Sequence, residues 1–178
     1  SMKSRAGRYY LNPNSPYFSS YYVTEAAAYS GKICLTPFYN SESRTVAALC
    51  VTVTALIAGK SIRLGVYADN NGYPGERLYD AGTVSFATAG HKEIALNAVL
   101  PAGWYWFAML TDATATGTIA GVYNYSQTIG GSAAAPVLDG NQPNYMFGTQ
   151  AYGALPATLP ALTDGASGTY GPHIYIKT

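Results

Sequence analysis

Between Arg44 and Leu56, residues alternate with period two. Thr45, Ala47, Leu49, Val51, Val53 and Ala55 fall on one face, and Val46, Ala48, Cys50, Thr52 and Thr54 on the other. This β-branched alternation predicts a strand with at least one buried face. After an Ala-Gly-Lys turn, Ile62, Leu64 and Val66 alternate with Ser61, Arg63 and Tyr67, so the two segments read as an antiparallel hairpin.

The same reasoning gives a first strand over Lys32 to Phe38. Leu78 to Phe86 reads as one or two short strands broken at Asp80-Ala81-Gly82, and Lys92 to Asn97 as a strand with Ile94 and Leu96 inward. The stretch PAGWYWFAML opens on a turn and continues apolar on both faces, as a central strand does. Its alternating Trp104 and Trp106 are therefore assigned to the core. Thr118 to Tyr125, Tyr145 to Thr149 and His173 to Lys177 complete eight or nine strands. GALPATLPALTDGASGTYGP, punctuated by Pro and Gly, has no periodicity and reads as a loop. No segment carries a capped helical repeat. The pattern is all-β: an antiparallel β-sandwich of jelly-roll type. Residues 1–31, rich in Tyr, Pro and Asn, read as a long irregular N-terminal arm, and residues 32–178 as a single sandwich domain. The leading Ser-Met reads as an expression remnant, which suggests a fragment of a longer protein joined to an upstream shaft.

Composition narrows the function. Charged residues are 11% of the 178, against roughly 25% in ordinary soluble domains, while aromatics are 13% and 17 residues are Tyr. A formal net charge of +1 supplies no footprint for nucleic acid, and no apolar run approaches a membrane span. A surface made polar by Tyr, Asn, Ser and Thr suits a recognition protein in an extracellular or virion setting. Cys34 and Cys50 read as free buried thiols, with a bridge between them the alternative.

Tests for chemistry are mostly negative. Gly59-Lys60-Ser61 lacks the upstream Gly of a phosphate loop, whose place Thr54 holds, and an alternating strand follows instead of a helix. His91, His173, Cys34 and Cys50 have no zinc spacing, and both histidines read as exposed polar residues. Hydrolase signatures are missing. Of the nine acids, among them Asp69, Glu76, Asp80, Asp112 and Asp139, most sit at predicted turns, where Asp bonds its own backbone, although a glycosidase pair could converge from distant positions. ADNNGYPGE fails as an EF-hand begun at Asp69: Tyr73 is fifth, Pro74 sixth and Asp80 twelfth. Asn71-Gly72 and Pro74-Gly75 instead read as two tight turns in series. Asn124-Tyr125-Ser126 is a formal glycosylation acceptor. No cofactor, metal or catalytic residue is expected.

The strings IRLGVYADNNGYPGERLYDAGTV and KEIALNAVLPAGWYWFAML, with the opening GRYYLNPNS, carry a family resemblance. They resemble a domain that recurs in tail-fibre and other receptor-binding or structural proteins of tailed bacteriophages. The resemblance covers roughly the N-terminal two thirds. Similar loops occur in extracellular bacterial sandwich domains and carbohydrate-binding modules. It implies a non-enzymatic β-sandwich at the tip of a virion appendage, homotrimeric, recognising a bacterial surface polysaccharide or lipopolysaccharide. Two alternatives are a purely structural virion or trimerisation domain and a carbohydrate-binding module of an extracellular bacterial enzyme.

Saccharides need aromatic faces and short polar side chains carried on rigid loops. On that chemistry the candidate ligands are Asp69, Asn71 and Tyr73 in one cluster and Tyr123, Asn124, Tyr125 and Gln127 in a second. Asn144 and Tyr145, with neighbouring Asn141 and Gln142, make a third.

Overall fold

The computed structural model describes residues 5–11, 22–113, 117–122, 145–165 and 170–178. Eight of its strands form two antiparallel sheets: β2 (Tyr22–Glu25), β3 (Lys32–Asn40), β4 (Arg44–Ala55), β5 (Ser61–Asn70), β6 (Tyr73–Ser85), β7 (Gly90–Leu100), β8 (Gly103–Thr111) and β9 (Thr118–Val122). The first sheet runs β2-β9-β4-β7 and the second β3-β8-β5-β6. The pairs β5/β6, β4/β7, β3/β8 and β2/β9 nest within one another and alternate between sheets. A long hairpin ribbon rolled up on itself has this topology, which is the jelly roll the alternation predicts.

The remaining strands extend this frame. β10 (Met146–Thr149) and β11 (Thr163–Asp164) continue the second sheet beyond β3. The C-terminal run supplies β12 (Gly171–Pro172), paired with β9, and β13 (Tyr175–Lys177), paired with β4. β1 (Tyr9–Tyr10) pairs with β13, so the described ends of the chain lie side by side.

Several local expectations are corrected. The segments Arg44 to Leu56 and Ile62 to Tyr67 are not a hairpin: β4 and β5 sit in opposite sheets, and Val51, Val53, Ile62 and Leu64 meet in the core between them. Periodicity marks which residues point inward but not which neighbour a strand pairs with. The span 1–31 is not wholly irregular, because β1, β2 and a 3-10 turn at Ala26–Tyr29 fall within it. Asp80-Ala81-Gly82 does not break β6. Leu64 faces Gly82 while Gly65 faces Asp80, so Ala81 is the extra residue of a bulge, with Gly82 at φ 96°. In β4, Val46 joins Leu49, Val51 and Val53 in the core. The register slips opposite Ala47, where Asn97 of β7 takes φ 51° and absorbs the irregularity.

The sandwich has a third layer. Tyr105, Phe107 and Met109 of β8 enter the main core, while Trp106, Ala108 and Leu110 form a second cluster on the outer face of the second sheet. Residues 150–162, most of them in the stretch 153–172 expected only as loop, lie over that cluster as a strap, and β11 and β12 fall within that stretch. Leu155 packs onto Gly65, where a Cβ would overlap its side chain and the Tyr79 carbonyl. Tyr67 Oη donates to the Pro156 carbonyl at 2.7 Å, Arg77 donates to the Leu155 carbonyl, and the Leu155 N–H donates to Asp80 Oδ2 at 3.0 Å. A strand apolar on both faces therefore has protein on both sides.

Candidate functional site

Strand register sets out the outer face of the second sheet as rows running across β3, β8 and β5. Leu35, Ala108 and Gly65 make one row, and Pro37, Trp106 and Tyr67 the next. Tyr39 faces Trp104 in the end row, and Asp69 follows Ala68, the last β5 residue paired with β8. The strap covers the first two of these rows through Leu155 and Pro156, and Tyr39 and Trp104 of the third are not part of its apolar cluster.

Tyr39 is 39% exposed and Trp104 half-buried, with ring centroids 4.9 Å apart and planes tilted by 49°. Neither the Trp104 Nε1–H nor the Tyr39 hydroxyl has a hydrogen-bond partner among the described residues. Trp106, two residues along the same face, is fully buried, and its Nε1 donates to Asp69 Oδ1 at 2.9 Å. Assigning both tryptophans to the core thus holds for Trp106 and fails for Trp104. Tyr39 and Trp104 are the site residues that sequence reasoning missed. The signal available was their position at the strand ends, outside the apolar cluster that the described strap covers.

Asp69 comes next in the row. Its carboxylate accepts from Gly72 N at 3.1 and 3.2 Å as well as from Trp106. The turn it stabilises is a single two-residue hairpin loop, since Asn70 pairs with Tyr73 and Asn71 and Gly72 take φ 54° and 85°. Asn-Gly suits this left-handed pair. Pro74-Gly75 is not a second turn: both residues lie inside β6, an edge strand that tolerates proline.

The expected ligand clusters are partly dispersed. Asn71 stands exposed at the hairpin tip. Tyr73, 46% exposed, sits opposite Asn70 and so faces away from Asp69 across the ribbon. Tyr145 is buried in the main core, edge-on to Tyr29, with Gly165 against its ring, and offers no loop surface. Tyr123, Asn124, Tyr125, Gln127, Asn141, Gln142 and Asn144 lie outside the described residues, as does Asp139.

A second polar group lies on the first sheet. Glu93 of β7 accepts from the Tyr9 hydroxyl and from Lys177 Nζ at 2.9 and 3.1 Å, and His91 Nε2 lies 2.8 Å away. Because a carboxylate only accepts, His91 carries its proton on Nε2. His91 Nδ1 lies 2.6 Å from the Tyr175 hydroxyl, which is 2.9 Å from Thr52 Oγ1. The hydrogen bonds from Tyr9, Lys177 and His91 hold Glu93 down at about 2. The group clasps β1 and β13 onto the β4–β7 pair, together with backbone bonds between Gly7 and Thr178 and between Thr178 and Arg8.

Other candidates for chemistry are held in structural roles. Burial opposes charge on Asp80, but bonds from the Leu155 N–H, Arg63 and the Gly82 N–H outweigh it and keep its pKa below the usual range. Asp112 Oδ1 accepts from Ser61 N at 2.7 Å. His173 is not an exposed polar residue: its Nε2 is buried without a hydrogen-bond partner among the described residues, and burial lowers its pKa to about 4. Cys34 and Cys50 are free and buried, and burial pushes the Cys50 thiol up to about 12. No group of three or more His, Cys, Asp or Glu among the described residues could hold a metal. No protein-family model and no curated protein matches the chain.

Proposed function

We propose that the chain is a non-enzymatic recognition domain of a tailed-phage virion appendage, a tail-fibre or spike tip, that binds a bacterial surface polysaccharide or lipopolysaccharide. The observation carrying this reading is the end row of the second sheet. Two aromatic rings stand there at the margin of the strap, with an indole N–H and a phenol O–H unengaged among the described residues. Aromatic faces take the C–H surface of a pyranose, and such polar handles bond its hydroxyls. The low charge and the tail-fibre-like strings of β5 to β8 support the virion setting, in which the domain works as a homotrimer on an upstream shaft.

The test is adsorption. Purified domain, fluorescently labelled, is expected to stain host cells and to compete with virions for them. Failure to bind any host envelope would end the reading. A stable trimer that takes up no glycan would favour the purely structural role instead.

A further inference from the structure

Asp69 closes the aromatic row with a negative charge that nothing described neutralises. Both of its hydrogen-bond donors, Trp106 Nε1 and Gly72 N, are neutral. The described ion pairs join Arg44 to Glu42, Arg63 to Asp80, and His91 and Lys177 to Glu93, and none reaches Asp69. Arg77, across the ribbon from Tyr67, is turned to the strap carbonyl of Leu155. The exposed Glu76 adds a second negative charge on the same hairpin.

We infer that this row selects uncharged sugar residues and rejects acidic ones, with Asp69 as the specificity-determining group. The inference rests on the saccharide reading above and names its ligand class. A pyranose stacked on Trp104 brings its substituents beside the Asp69 carboxylate. A hydroxyl or amine there can donate to a free lone pair of the carboxylate. A carboxylate, sulfate or phosphate there meets a like charge at contact distance, where repulsion in partly screened surroundings amounts to about a tenfold loss of affinity. The tilt of 49° between the two rings gives the row two facets instead of one flat plane. It therefore suits one or two sugar residues of a turning chain better than a flat, extended polymer.

The test uses the intact chain in affinity electrophoresis through gels containing dextran, hydroxyethyl cellulose or yeast mannan. Each is paired with its carboxymethylated counterpart. The expected result is retardation by at least one neutral polymer, lost in Trp104→Ala, and about tenfold weaker binding of the carboxymethylated form. Asp69→Asn, which keeps an acceptor for Trp106 and Gly72, should close that gap, while Glu76→Gln leaves most of it. In the unaltered chain the gap should also narrow as salt rises, because exposed charges are then screened. This second readout needs no variant to fold.

Equal retention of the acidic forms, or a gap indifferent to both Asp69→Asn and salt, overturns the inference and leaves saccharide binding standing. Absence of retardation by every polymer, and by host envelope polysaccharide in the same gels, removes both.

Discussion

The Trp106 indole Nε1 donates to Asp69 Oδ1 at 2.9 Å, and this bond separates the roles of two tryptophans two residues apart. Trp106 is locked beneath the strap and satisfied. Trp104 has the same side-chain chemistry on the same face, but lies at the strap's margin with its N–H unengaged among the described residues.

Removing the Asp69 acceptor leaves a buried indole donor unpaired and frees the Gly72 N–H. Asp69→Ala is therefore expected to cost about 1–3 kcal/mol, and Asp69→Asn distinctly less. Urea midpoints of the two variants measure this directly. Equal midpoints for Asp69→Ala and the unaltered chain would show that the bond contributes nothing.

The strap is held mainly through Leu155. Leu155→Ala should cost about 2–4 kcal/mol as a large-to-small substitution in a packed cluster. Gly65→Ala should also destabilise, by about 1–3 kcal/mol, because the added methyl takes the space Leu155 fills. Limited proteolysis should show new cleavage within residues 150–162 in both variants before the sandwich itself is cut.

His173 sets an acid dependence. Its folded pKa is lowered from 6.5 to about 4 by burial, so the unfolded chain binds the extra proton first. Stability present above pH 6.5 is then lost as pH falls toward 4, by up to about 3 kcal/mol. Melting temperatures across pH 7 to 4 should decline, and His173→Phe should flatten that part of the curve. An unchanged slope in the variant would place the acid sensitivity elsewhere.

The Glu93 clasp is partly exposed, so its contribution lies in holding the arm more than in global stability. Glu93→Gln is expected to speed hydrogen exchange several-fold at the amides of Tyr9 and Tyr10, as local opening of an edge element does. The unfolding midpoint should barely move.

Much of the fold was legible because burial imposes period two on strands. Ile62, Leu64 and Val66 point inward as their alternation requires, and the PAGWYWFAML strand is covered on both sides as its composition requires. Pairing was not legible. The bulges at Asn97 and at Ala81 depend on neighbours far away in sequence, and the separation of β4 from β5 depends on both sheets sharing one core. Among the described residues, the candidate row was legible in the sequence only at Asp69. Tyr145 has the composition of a loop ligand but the packing of a core residue. Trp104 has the composition of a core residue, yet among the described residues it lies outside the cluster the strap covers. That distinction lies in where the strap ends, and the strap carries no periodic signal.

The most direct measurement is the binding of host envelope polysaccharide to the unaltered chain and to Trp104→Ala and Tyr39→Ala, followed by titration with folding checked by circular dichroism. The account predicts saturable binding by the unaltered chain and about a five- to tenfold loss in each variant, as the roughly 1–1.5 kcal/mol of an aromatic face gives, with folding unchanged. Saturable binding that both variants retain in full would contradict it.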